Sequence, residues 1–90
     1  MITVTGSLTC ANTVEADLVR QYLPDHIRLS REEPGCLSFN VLPTDNPLVW
    51  RLDESFADRA AFEAHQARTR GSAWYKATAH LKRDFRISGS

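Results

Sequence analysis

The stretch from His26 to Cys36, HIRLSREEPGC, constrains the fold more than any other part of the chain. It reads as the last turns of a helix, a hard stop and the start of a strand. Pro34 cannot continue a helix, and Gly35 can take the backbone conformation that turns the chain away. At roughly 100° per residue, Val14, Leu29, Tyr22, His26, Val19, Ser30 and Leu23 fall on one arc of the helix. His26 lies near the middle of that arc and Glu33 beside it, while Asp17, Arg20, Arg28 and Arg31 take the opposite side. A titratable ring and a carboxylate are thus aimed at the core. Burying either unpaired is expensive, so the pattern predicts a polar constellation inside the fold, or a cavity for one.

The flanking segments alternate. Ile2, Val4, Leu8 and Cys10 are separated by Thr3, Thr5, Ser7 and Thr9, the pattern of a half-buried strand. Asn12 followed by Glu15 marks a helix start of the capping-box kind, and the helix is predicted from about Thr13 to Glu32. Pro24 falls on its polar side, where water can satisfy the freed carbonyl, so a kink is expected and not a break. Leu37, Phe39 and Val41 alternate with Ser38 and Asn40 as a second strand. Pro43 to Pro47 is a turn. A third strand, Leu48 to Phe56, puts Trp50, Leu52 and Phe56 on one face and Arg51, Asp53 and Ser55 on the other. Asp58 caps a short helix to about Arg68. Gly71 and Ser72 open a third helical piece with Ala73, Trp74, Ala77 and Leu81 facing in, and Phe85 and Ile87 mark a last strand.

Every strand has one apolar face, and three amphipathic helices can cover it. The expected architecture is α+β, a ferredoxin-like sandwich on an antiparallel four-stranded sheet. The 90 residues make one domain, 1–90. A chain of this size buries only about 60–65% of its unfolded surface, so a partner chain would add stability. Net charge is zero and no basic cluster stands out, which argues against nucleic acid and anionic membranes as partners. No apolar run approaches the roughly 20 residues that span a bilayer, and MITVTGSLTC lacks the layout of a secretory signal. Cys10 and Cys36 have neither metal spacing nor a CxxC pattern, and read as free thiols of a cytoplasmic protein.

Two motifs carry a family resemblance. The first is His26, three residues, Ser30-Arg31, one residue, then Glu33-Pro34-Gly35-Cys36 and the alternation after it. The second is Glu54-Ser-Phe-Ala-Asp58 followed by Ala61-Phe62 and Ala64-His65. In order and length, across nearly the whole chain, the sequence resembles the antibiotic biosynthesis monooxygenase family, including the small quinol monooxygenases. The resemblance implies the same ferredoxin-like fold and a homodimer in which two sheets pack into a dimeric α/β barrel. The residues alone favour the dimer only weakly, because the second sheet face is rich in Thr, Ser and Arg and can equally face water. The heme-degrading branch of that family is marked by an Asn on the first strand, a Trp on the second helix and a ligand His on the third. Here those positions fall near Gly6 or Ser7, near His65 and near Tyr75, which disfavours heme.

The chemistry-bearing residues are few. Glu54 interrupts the apolar alternation of Trp50, Leu52 and Phe56, so it points at the helices. It is either a strand-end carboxylate that reaches water or the oriented partner of a histidine, fixing one ring nitrogen and making the other more basic. His65 falls between Ala61 and Phe62 on the inward side of the second helix, at the resembled family's histidine position. His26 has the same standing, and His80 falls on the outside near Lys76. Either inward histidine can also be a satisfied core residue. Trp50, Phe39, Phe62, Trp74 and Tyr75 are core aromatics or the walls of a flat apolar pocket for a planar ligand. Glu33 is read as complementing the chain reversal at Pro34-Gly35. There is no GxGxxG and no P-loop, so no cofactor is expected, and His26, His65 and Glu54 make a poor metal set.

These features converge on a small cofactor-independent monooxygenase that oxidises a quinol or polycyclic phenol with molecular oxygen. His65, oriented by Glu54, or else His26, is the expected base. A small-carbonyl isomerase on the same fold and a non-catalytic ligand-binding dimer are the alternatives.

Overall fold

The computed structural model describes residues 1–89. The chain runs β1 (Ile2–Thr9), α1 (Thr13–Arg31), β2 (Cys36–Pro43), β3 (Val49–Phe56), α2 (Arg59–Arg70), α3 (Ala73–Thr78) and β4 (Lys82–Gly89). The strands form one antiparallel sheet in the order β2-β3-β1-β4. This is the ferredoxin-like α+β architecture, with the helices on one face of the sheet. Across the middle of the sheet one rung places Phe39, Glu54, Val4 and Ile87 side by side, all on the helix side.

Local chemistry sets the helix starts. The Asn12 side chain accepts from the Glu15 N–H at 3.0 Å, and the Glu15 carboxylate accepts from the Ala11 N–H at 2.7 Å. Asp58 accepts from the Ala61 N–H at 2.8 Å, and Ser72 from the Tyr75 N–H at 3.1 Å. Helix α1 runs through the exposed Pro24 to Arg31, with Glu32 as its C-cap. Its buried line is Ala16, Val19, Leu23, His26 and Ser30. That line is centred near Ser30, about 40° from where the sequence arc places it. Val14 and Leu29 are therefore exposed, contrary to expectation.

Three other expectations are corrected. A bulge between Cys36 and Ser38 shifts the register of β2. The extra residue is Leu37, which is turned out to 59% exposure while Phe39 and Val41 stay buried. Ala73 is exposed, and Thr78 is the fully buried partner of Trp74 on α3. Phe85 and Ile87 share the inward side of β4 but are 38% and 52% exposed, because no helix reaches over this edge strand. The space left there is the mouth of the cavity described below.

Two glycines allow close approaches. Gly6 sits at φ +153°, and a Cβ there would lie 2.1 Å from the Asp84 carbonyl oxygen, so β4 closes on β1 only over a glycine. Gly35, at φ +85°, rests on α2, where a Cβ would come within 2.6 Å of Ala61 Cβ. The Ala57 N–H donates to the Gly35 carbonyl at 2.7 Å. This bond and the Gly35–Ala61 contact seat the α1–β2 turn against α2 at Ala61, one turn from His65 and two from Arg68.

Candidate active site

A cavity of about 280 Å³ opens between the helices and the inner face of β4. Its apolar walls include Val4, Leu8, Phe39, Phe62 and Trp74, and its polar groups are His26, Glu54, His65, Gln66, Thr69, Arg70, Tyr75 and Arg83. Of the residues singled out from sequence, His26, Glu54, His65, Phe39, Phe62, Trp74 and Tyr75 all line it. Trp50 does not. It lies four residues before Glu54 on β3, about 13 Å along the strand, and packs in the core with the Arg20 guanidinium 5.6 Å above its ring.

Burial decides the state of each titratable group. His26 and His65 are buried at 5% and 6% exposure, and Glu54 at 7%. His26 is held among rings: it stacks on Trp74 at 5.1 Å and meets Phe39 edge-on at 5.3 Å. Its Nδ1 has no hydrogen-bond partner among the described residues. Desolvation first, then the neighbouring His65, Arg68 and Arg83, push its pKa down to about 3, so the ring is neutral at physiological pH. Burial, with Glu33 and Asp53 adding repulsion, pushes Glu54 up to about 8. At neutral pH its carboxyl is chiefly protonated and is a hydrogen-bond donor.

His65 carries the most directed geometry. Its Nδ1 lies 2.8 Å from Glu33 Oε1. The other Glu33 oxygen accepts from Arg68 Nε, and Arg68 Nη2 reaches Ser30 Oγ at 2.9 Å. A carboxylate held this way only accepts, so the proton of a neutral His65 ring sits on Nδ1. The Nε2 lone pair then faces Glu54 Oε1 at 3.8 Å and Thr69 Oγ1 at 3.5 Å. Burial holds the His65 pKa below the ordinary imidazole value, and the Glu33 bond and charge offset this only in part. The ring is neutral, oriented and able to accept a proton. An oxygen about 2.8 Å from both Nε2 and the Glu54 carboxyl would meet a base on one side and an acid on the other.

The orienting carboxylate is thus Glu33 and not Glu54, which overturns the sequence expectation. Glu33 is the group beside His26 on the helix arc, and the sequence pattern assigns it only to the chain reversal. It lies just beyond the last helical residue, where angular position no longer predicts direction. Arg68 has no signal in the sequence beyond its place three residues after His65. Arg83 follows the inward parity of Phe85 and Ile87 on β4. Among the described residues no group of three His, Cys, Asp or Glu side chains is arranged to hold a metal. Cys10 and Cys36 are free thiols away from the cavity lining.

The sequence profile of the antibiotic biosynthesis monooxygenase family matches residues 1–77. The fold is similar to a Deinococcus radiodurans protein provisionally named an antibiotic biosynthesis monooxygenase, with a TM-score of 0.84, 22% identity, and coverage of 100% of this chain and 92% of that one. A Bacteroides thetaiotaomicron protein named in the same way gives a TM-score of 0.80 at 22% identity, covering 99% and 89%. One from Nitrosomonas europaea gives 0.77 at 23% identity, covering 98% and 97%. No curated protein matches the sequence.

Proposed function

The chain belongs to the antibiotic biosynthesis monooxygenase family, and from that premise we propose that it is a cofactor-independent monooxygenase acting on a small quinol or polycyclic phenol. The observation that carries the reading is the Glu33–His65 pair. It aims an unprotonated Nε2 at a protonated Glu54 inside an aromatic-walled cavity.

The chemistry rests on those groups. A planar ring enters past Phe85 and Tyr75 and lies against Phe62 and Trp74. Its hydroxyl, or an activated ring CH₂, meets His65 Nε2, which takes the proton. Glu33 stabilises the imidazolium that forms. The Glu54 O–H donates to the developing oxyanion, which the apolar walls keep from water. The electron-rich anion then reduces oxygen itself. For an anthrone-type CH₂ the balance closes without another reductant: one atom of O₂ remains on carbon as the carbonyl, and the other leaves as water with the two hydrogens. His26 is too hard to protonate to share the base role through an imidazolium, and serves as a neutral hydrogen-bonding wall.

We also propose that the working unit is a homodimer formed through the outer sheet face, as the family resemblance implies. The test of function is oxygen uptake by the purified protein over a panel of hydroquinones and anthrones, with the product analysed after reaction under ¹⁸O₂. Label in the product supports the reading. Deuterium exchange into a small hydroxyketone without oxygen uptake would replace it by the isomerase reading, since the same base and acid serve a proton shuttle.

A further inference from the structure

Among the described residues Arg83 is the one cavity-lining cation held partly inside the fold, and its own bonds leave it incomplete. Nη1 donates to the carbonyls of Thr78 at 2.6 Å and Leu81 at 3.4 Å, and Nη2 donates to Thr78 Oγ1 at 2.9 Å. A guanidinium has five N–H donors. Three are used on the end of the group that faces Thr78. The remaining two, Nε–H and the second Nη2–H, lie parallel along one edge and have no acceptor among the described residues. Among the described residues no carboxylate lies within ion-pair distance of Arg83 either; the ion pairs there engage Arg20, Arg28, Arg68, His65 and His80.

The rest of the lining does not compensate. Among the described residues Glu54 is the only carboxyl group in the cavity wall, and at neutral pH it is chiefly protonated. His26 is neutral. Glu33 is engaged by Arg68 and His65. Arg70, exposed at the rim, adds a second positive charge. The wall therefore holds positive charge and no free negative charge. A desolvated guanidinium with an open two-donor edge matches a carboxylate in shape as well as charge. The sheet register sets Arg83 opposite Leu8, four rungs along the strands from the Glu54–Val4–Ile87 rung. It thus faces the opposite end of the cavity from the His65–Glu54 pair.

We propose that the cavity selects aromatic ligands that carry a carboxylate, with Arg83 binding that group while the ring hydroxyl meets His65 and Glu54. The chemistry after binding rests on the monooxygenase reading, but the binding itself does not. The ligand class is a hydroxylated aromatic acid, and Arg83 is its specificity-determining residue.

The test is equilibrium binding without oxygen, monitored by tryptophan fluorescence, with three probes: 2,5-dihydroxybenzoate, its methyl ester and methylhydroquinone. At pH 7 the acid is expected to bind at least tenfold more tightly than the ester or the hydroquinone. Arg83→Gln should remove that preference by weakening the acid at least tenfold. Arg83→Lys, which keeps the charge but loses the fork, should recover part of it. Because Arg83 also ties down the Thr78 and Leu81 carbonyls, circular dichroism and ester binding report whether each variant is folded. Equal binding of acid and ester by the parent protein would overturn the proposal, as would an equal loss of both in folded Arg83→Gln. A rise in methylhydroquinone affinity on ionising its phenol, lost in Arg83→Gln, would also overturn it by showing that Arg83 pairs with a phenolate. Failure of the protein to oxidise any quinol leaves these outcomes unaffected, so the two readings fail separately.

Discussion

Replacing Glu33 by glutamine removes one charge and almost no volume, and the structure predicts an effect out of proportion to that change. In the parent protein two donors converge on the two oxygens of Glu33: His65 Nδ1–H at 2.8 Å and Arg68 Nε–H. A glutamine has one oxygen to offer. The guanidinium cannot accept a hydrogen bond, so the amide oxygen turns to Arg68 and the NH₂ group turns to His65. The imidazole then has to accept at Nδ1, and its proton moves to Nε2. The nitrogen that faces Glu54 becomes a donor, and the base is lost although every ring stays in place. General-base catalysis contributes about 10²–10⁴-fold. Glu33→Gln should therefore fall by about 10²-fold or more, close to His65→Ala. Glu54→Gln should lose no more than a few-fold at pH 7, because an amide N–H replaces a carboxyl that is already protonated.

The assay is oxygen uptake with an accepted quinol or anthrone, under circular dichroism control. A second readout needs no substrate: the ¹⁵N shifts of the His65 ring should report Nδ1–H in the parent protein and Nε2–H in Glu33→Gln. A Glu33→Gln protein within threefold of the parent rate, with Glu54→Gln reduced a hundredfold, would refute the argument and restore Glu54 as the orienting group. An unchanged tautomer in folded Glu33→Gln would refute it at the level of the hydrogen bond.

Two further outcomes can be measured directly. The Glu54 carboxyl is raised from 4.5 to about 8, chiefly by burial, so the folded state holds its proton more tightly than the unfolded one. Its contribution is most favourable below pH 4.5, declines through the window to about pH 8 and is then level; Glu54→Gln should remove this decline, gaining about 3 kcal/mol over the parent by pH 7, and parallel urea midpoints for the two proteins from pH 5 to 8 would show that Glu54 is not raised. Sedimentation equilibrium at micromolar concentration should give twice the 10.1 kDa chain mass, and a single species at the chain mass would remove the proposed dimer.

Most of the fold was legible because its signals are local. The alternation Ile2, Val4, Leu8 needs only the two-residue period of a strand, and the Asn12–Glu15 and Asp58 caps are read within one turn. The errors came where a neighbour decides. The bulge that turns out Leu37 is a property of how β2 meets β3, and β2 alone carries a continuous alternation. Phe85 and Ile87 have the right parity, but their exposure depends on which strands the helices reach. The rotation of α1 buries Ala16 and exposes Val14, and it is set by how the helix meets the sheet, which the helix's own periodicity does not encode.

The site was legible in its members and not in its wiring. His26, His65 and Glu54 each break an apolar face, and a polar group on an apolar face must find either a partner or a ligand. Such breaks identify residues one element at a time. They cannot say that Glu33, past the end of α1, reaches His65 on α2, because that depends on a turn seated against a third element. The device is Gly35: at φ +85° and without a Cβ, it lets the turn rest on Ala61. Seated there, Glu33 meets the face of α2 that carries His65 and Arg68, residues three apart on one helical face. The Glu-Pro-Gly sequence therefore does two jobs. It ends α1, as its composition predicts, and it delivers a carboxylate to a histidine 32 residues away. Once Glu33 supplies the charge that fixes His65, Glu54 is free to be a protonated acid. In the proposed mechanism the cavity then holds a base, His65, oriented by the Glu33 carboxylate, and an acid, Glu54, kept protonated chiefly by burial.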